Sequence, residues 1–86
     1  MIVAENESSN FVLNLYFLAY DTGKGITALE NEIGLGHGYF SKTIKTGSSP
    51  TIRTAKRVSD TVGYTIDELM MKPRDFRLFV WSKNNA

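Results

Sequence analysis

Apolar side chains crowd one stretch of this chain almost without a break: residues 11–20 read FVLNLYFLAY, interrupted only by Asn14. Ten residues are about half of what a membrane-spanning helix needs. The run instead predicts a helix over about residues 11–21, N-capped by Asn10. Its apolar positions go nearly all the way round, so the helix must be buried on more than one side, and part of that surface is available to meet another chain. Thr22, Gly23, Lys24 and Gly25 break it. From there the pattern becomes that of amphipathic helices with one inward face. Thr27 and Glu30 have the spacing of a capping box and predict a short second helix ending near Gly34, with Leu29 and Ile33 inward. A third helix is expected over about residues 38–45, with Phe40 and Ile44 turned to the core. A fourth, capped by Ser49 or Thr51, runs to about Val62, with Ile52, Ala55, Val58 and Val62 inward and Arg53, Lys56 and Arg57 outward. Thr65 and Glu68 repeat the capping-box spacing and open a fifth through Leu69 and Met70.

Pro73 is expected to close the helical series. The residues after it, RDFRLFVW, are rich in β-formers, and Phe76, Leu78 and Val80 alternate on one face. A lone strand leaves its backbone groups unpaired. The tail therefore adds to a nearby element, pairs with the same strand of a second copy, or is a helical or irregular extension. Self-pairing would make Phe76, Leu78, Val80 and Trp81 a dimer or partner interface, and truncation after Pro73 would then give monomers. The expected organisation is a flexible N-terminus over 1–9, a helical domain over 10–72 and an extension over 73–86.

Eighty-six residues make one small domain, and apolar and charged fractions of 42% and 22% are those of an ordinary globule. The net charge of +1 carries no message, but its distribution does. Five acids face a single lysine in residues 1–32, and acids and bases balance in 60–86. Residues 33–59 contain Lys42, Lys45, Arg53, Lys56 and Arg57 and no acid at all. A basic segment that holds a glycine-rich turn and two helix starts points to phosphate and hence to nucleic acid, although a solvated basic face explains charge alone equally well.

The chain lacks cysteine, which excludes a disulfide framework and a thiolate metal site and suits a reducing cytoplasm. Its first residues, MIVAENESSN, have no basic region and no cleavage-like motif of a signal peptide. One histidine and no close carboxylate pair leave no catalytic constellation, so an enzyme is not expected, nor a cofactor or metal. Gly34, Gly36 and Gly38 do not form a phosphate-cradling motif, because no strand precedes them; a helix cap and a tight turn explain them more simply.

The order of these elements resembles the Cro/repressor-type helix-turn-helix family, also called xenobiotic-response-element-like. The resemblance is carried by Gly25-Ile26-Thr27, by Leu29-Glu30 with Ile33 through Lys42 (IGLGHGYFSK), by Gly47 and Pro50, and by Val62 through Leu69 (VGYTIDEL), and covers about residues 11–71. It implies an all-α, five-helix, lambda-repressor-like domain whose third helix enters the major groove of double-stranded DNA, with a short C-terminal extension that is a β-strand in one reading. Carried over by position, His37, Tyr39 and Lys42 would approach bases or adjacent phosphates, with Ser41 and Lys45 beside them. Thr27, Thr46, Ser48, Ser49, Thr51 and Arg53 would meet the backbone. Three departures stand out: Ile26 replaces a usual polar residue, one extra residue lies between Phe40 and Gly47, and helix three lacks Arg, Asn and Gln, the side chains best suited to bidentate base contacts. The function so implied is that of a homodimeric cytoplasmic transcriptional regulator, a small repressor of the phage or mobile-element type. The rival is a helix-turn-helix module, such as an antirepressor, that captures another regulatory protein.

Overall fold

The computed structural model describes residues 7–47 and 50–85, and side chains from Asn10 onward. Its elements are α1 (Glu7–Asp21), α2 (Ile26–Ile33), α3 (Tyr39–Thr46), α4 (Ile52–Val62), α5 (Ile66–Leu69) and α6 (Pro73–Asn84), and no strand occurs among the described residues. The expected flexible segment lies outside the described residues over 1–6. α1 begins at Glu7 rather than after Asn10, so Asn10 sits within the helix, buried, and is not its cap.

Much of the apolar character of α1 is accounted for by its neighbours, although Tyr20 stays exposed. It packs against α2, α3, α5 and α6, and Phe11, Val12, Leu15, Leu18 and Ala19 are all buried. Around them gather Leu29 and Ile33 of α2, Phe40 of α3, Ala55 and Val58 of α4, Leu69 of α5, and Phe76 and Val80 of α6. No described helix is long and apolar enough to cross a membrane.

The interruption in the apolar run proves structural. Asn14 is fully buried, and its side-chain amide donates to the carbonyls of Leu69 and Met71, each at 2.8 Å. Those carbonyls belong to the end of α5 and the bend after it, where a helix runs out of its own partners. The amide oxygen Oδ1 is buried without a partner among the described residues.

The C-terminal extension is a helix, not a strand. Pro73 does not close the helical series but occupies the first turn of α6, where its fixed φ is favourable and its missing N–H costs nothing. Phe76 and Val80, four residues apart, share one helical face and are 0% and 2% exposed. The alternation of Phe76, Leu78 and Val80 was therefore a coincidence with helical spacing, and burial overrode β-propensity. Phe76 meets Phe17 and Tyr64 edge to face, with centroids 6.2 Å and 5.5 Å apart. Of the four proposed interface residues, Phe76 and Val80 are thus core, whereas Leu78 and Trp81 are exposed. The expectation that truncation after Pro73 yields folded monomers falls with the strand, because the cut would open the core.

Other boundaries follow local chemistry. Thr51 caps α4 by accepting from the Thr54 amide at 3.2 Å. At α5 the capping box is complete: Glu68 N–H donates to Thr65 Oγ1 and Thr65 N–H to the Glu68 carboxylate. The other expected box is absent. Ile26 is already helical and Gly25 is the N-cap, so Thr27 lies inside the first turn and Glu30 is too far along to reach back. Ile52 is a further correction: expected inward, it is 85% exposed, because the first turn of α4 overhangs the core that Ala55 and Val58 enter.

Candidate nucleic-acid interface

α2, a five-residue turn and α3 form the surface on which most of the candidate residues stand. α2 ends in a Schellman arrangement: Leu35 N–H bonds Glu30 O at 2.8 Å and Gly34 N–H bonds Asn31 O at 3.1 Å. This needs a left-handed residue, and Gly34 supplies it at φ 90°. Any side chain there would also collide with the Arg57 guanidinium. Arg57 is exposed, as expected, and it also crosses from α4 and donates to Ile33 O at 2.9 Å, taking up a carbonyl at the end of α2.

The start of α3 is capped from outside. Gly38, at φ 78°, is its N-cap and has no side chain to offer. Glu30, 1% exposed, fills the role from α2: its carboxylate oxygens accept from Gly38 N–H at 3.1 Å and Phe40 N–H at 2.9 Å. A carboxylate is favourable at a helix N-terminus because the amides there carry partial positive charge. Two bonds from one buried side chain fix the angle between α2 and α3. They also occupy amides that an external phosphate would otherwise contact.

α3 divides cleanly into faces. Phe40 and Thr43 are buried and Ile44 is half-buried, with Thr43 Oγ1 donating to Tyr39 O. At roughly 100° per residue, Ser41, Lys45, Lys42 and Thr46 then follow one another round the opposite arc, and all four are exposed. Neither lysine forms an ion pair with a described residue; Lys24 and Glu32 do, at 2.9 Å. Ser41 shares a 2.8 Å hydrogen bond with the Tyr16 hydroxyl, which ties α3 to α1. Thr46 donates to Lys42 O at 2.9 Å. Tyr39 is half-buried, its ring edge-on to Phe40 at 5.4 Å, while His37 stands exposed in the turn.

The remaining candidates are more scattered. Thr51 and Arg53 are exposed at the start of α4, flanking the exposed Ile52. Thr27 is exposed in the first turn of α2. Ser48 and Ser49 lie outside the described residues. Sequence patterning thus found the exposed basic arc but missed its supports, Glu30, Arg57 and the Tyr16–Ser41 bond.

No family model, curated protein or solved structure gives a significant match to this chain.

A second surface differs in character. α1 and α6 run side by side in the same direction: Phe17 meets Phe76 and Arg77, and further along Asp21 and Asn84 line one cavity. The Arg77 guanidinium lies over the Phe17 ring, 5.6 Å from its centroid. Tyr20, Leu78 and Trp81 are 85%, 61% and 65% exposed, and a shallow groove runs between Leu13, Tyr16, Phe17, Tyr20, Pro73 and Arg77. Nearby, burial and then the charges of Asp21 and Glu68 raise the Tyr64 phenol above its ordinary pKa, and Lys83 sits over its ring. Among the described residues no group of three or more histidine or carboxylate side chains is placed to hold a metal.

Proposed function

We propose that this protein is a DNA-binding transcriptional regulator, a small repressor of the helix-turn-helix type, that lays α3 in the major groove. One observation carries the reading: the outward arc of α3 presents Ser41, Lys42, Lys45 and Thr46, in a stretch from Ile33 to Ser59 that contains no acid. The major groove admits an α-helix, and ammonium groups on such an arc neutralise phosphates or donate to base edges. Of the two carboxylates near the end of α2, Glu30 is turned inward onto the amides of Gly38 and Phe40, and Glu32 is paired with Lys24. Thr51 and Arg53 at the start of α4 supply phosphate contacts beside the arc. One α3 reads only a few base pairs, so two copies acting on two half-sites give useful specificity. The exposed Leu78 and Trp81 of α6 are the residues through which the copies would meet.

The first test is the salt dependence of binding to duplex DNA. Lys42→Ala should weaken binding and reduce the slope of log affinity against log salt by about one. Unchanged affinity and slope would remove Lys42 from the interface.

The exposed Tyr20, Leu78 and Trp81 favour a second reading, a module that captures another regulatory protein. Such binding depends little on salt. A partner complex that survives high salt, from a protein with no measurable affinity for DNA, would select this reading over the first.

A further inference from the structure

Given the DNA-binding role proposed above, we infer that α3 selects half-sites carrying adjacent guanines on one strand, read by Lys42 and Lys45. The two lysines occupy the middle of the exposed arc, with Ser41 and Thr46 at its edges. The hydroxyls at the edges are engaged within the protein, Ser41 with Tyr16 and Thr46 with the Lys42 carbonyl. The amides of Gly38 and Phe40 at the start of α3 are committed to Glu30. The charged groups left to face a ligand are two ammoniums, each with three donors and no acceptor.

A donor-only ammonium discriminates among base edges. In the major groove guanine offers two neighbouring acceptors, O6 and N7, between which one ammonium can sit. Cytosine offers the N4 donor, and adenine sets the N6 donor beside its single acceptor, so either places donor against donor. Thymine has one acceptor flanked by a methyl group. No Asp, Glu, Asn or Gln lies on α3 to accept from cytosine or pair with adenine. Selection of guanine thus comes with rejection of the alternatives. Lys42 and Lys45 lie three residues apart, about 4.5 Å along the helix axis. That is a little more than one base step of about 3.4 Å, so the two ammoniums reach neighbouring base pairs.

The test is selection of bound duplexes from a random pool at about 150 mM salt, followed by replacement of each selected guanine with 7-deazaguanine, which keeps base pairing and removes the N7 acceptor. Adjacent guanines should be enriched. The replacement should weaken wild-type binding roughly tenfold at one of them and leave Lys42→Ala almost indifferent at that position. Enriched duplexes whose affinity ignores 7-deazaguanine, or an equal loss in Lys42→Ala, would overturn guanine readout and leave DNA binding standing. No enrichment, from protein with an intact helical spectrum, would overturn both.

Discussion

Glu30 and Asn14 each secure a chain reversal from a neighbouring helix, one by accepting and the other by donating. Glu30 reaches from α2 to the amides that open α3, and Asn14 reaches from α1 to the carbonyls where α5 gives out. The division follows from the helix itself, which has spare N–H groups at its start and spare C=O groups at its end. A carboxylate suits the first and an amide nitrogen the second. The two clamps differ in completeness. Glu30 has a partner for each oxygen, whereas Asn14 leaves Oδ1 buried without one among the described residues. The surface proposed to read DNA is held by the fully satisfied clamp, and the α5–α6 junction behind it by the incomplete one.

The comparison breaks most severely if α6 is removed. Truncation after Pro73 leaves Asn14 its partners but deletes Phe76 and Val80, and a large aromatic side chain lost from a core alone costs about 3–5 kcal/mol. Loss of a cooperative thermal transition by circular dichroism is expected; a sharp transition would show that the core closes without α6. Asn14→Asp comes next. It keeps the shape but sets carboxylate oxygens against two carbonyls, leaving a buried charge unpaired, and should cost about 4 kcal/mol in urea unfolding. Glu30→Gln inverts the other clamp more gently, since one oxygen remains as acceptor while an NH2 meets an N–H. A loss of about 2 kcal/mol is expected, with the Gly38 and Phe40 amide resonances shifted most. A loss larger than that of Asn14→Asp would reverse the ranking of the clamps. Lys42→Ala should be the smallest, within about 0.5 kcal/mol of wild type in the same urea titration. A larger change would give Lys42 a structural role and weaken its assignment as a reader.

Much of this was legible from local chemistry. Thr65 and Glu68 made the box that their spacing announces, Thr51 capped α4, and Leu29, Ile33, Phe40, Ala55 and Val58 turned inward as their periodicity requires. The failures share a cause, in that the competing interaction lay far along the sequence. Thr27 and Glu30 have the same spacing as Thr65 and Glu68, yet Glu30 was drawn away by amides eight and ten residues on. The tail has strand-like composition, but Phe17 and the rest of α1, some sixty residues earlier, stabilise it as a helix. Arg57 is outward as its position requires, and only its bond to Ile33 O, across from α4 to α2, was not legible. One missed signal was present: a lone Asn in an all-round apolar helix must find partners, since burying an unpaired amide is costly. The charged arc of α3 was visible because exposure follows from helical period alone, whereas the identity of its ligand depends on shape that no local pattern encodes.

The pairing of α1 with α6 has a consequence for synthesis. Val12, Leu15 and Phe17 emerge from the ribosome early, while Phe76 and Val80, which complete their surroundings, are among the last core residues to be made. Until then the face of α1 that α6 covers stays open, so the core closes only once α6 has been made, and α1 is a natural target for chaperones that hold apolar segments.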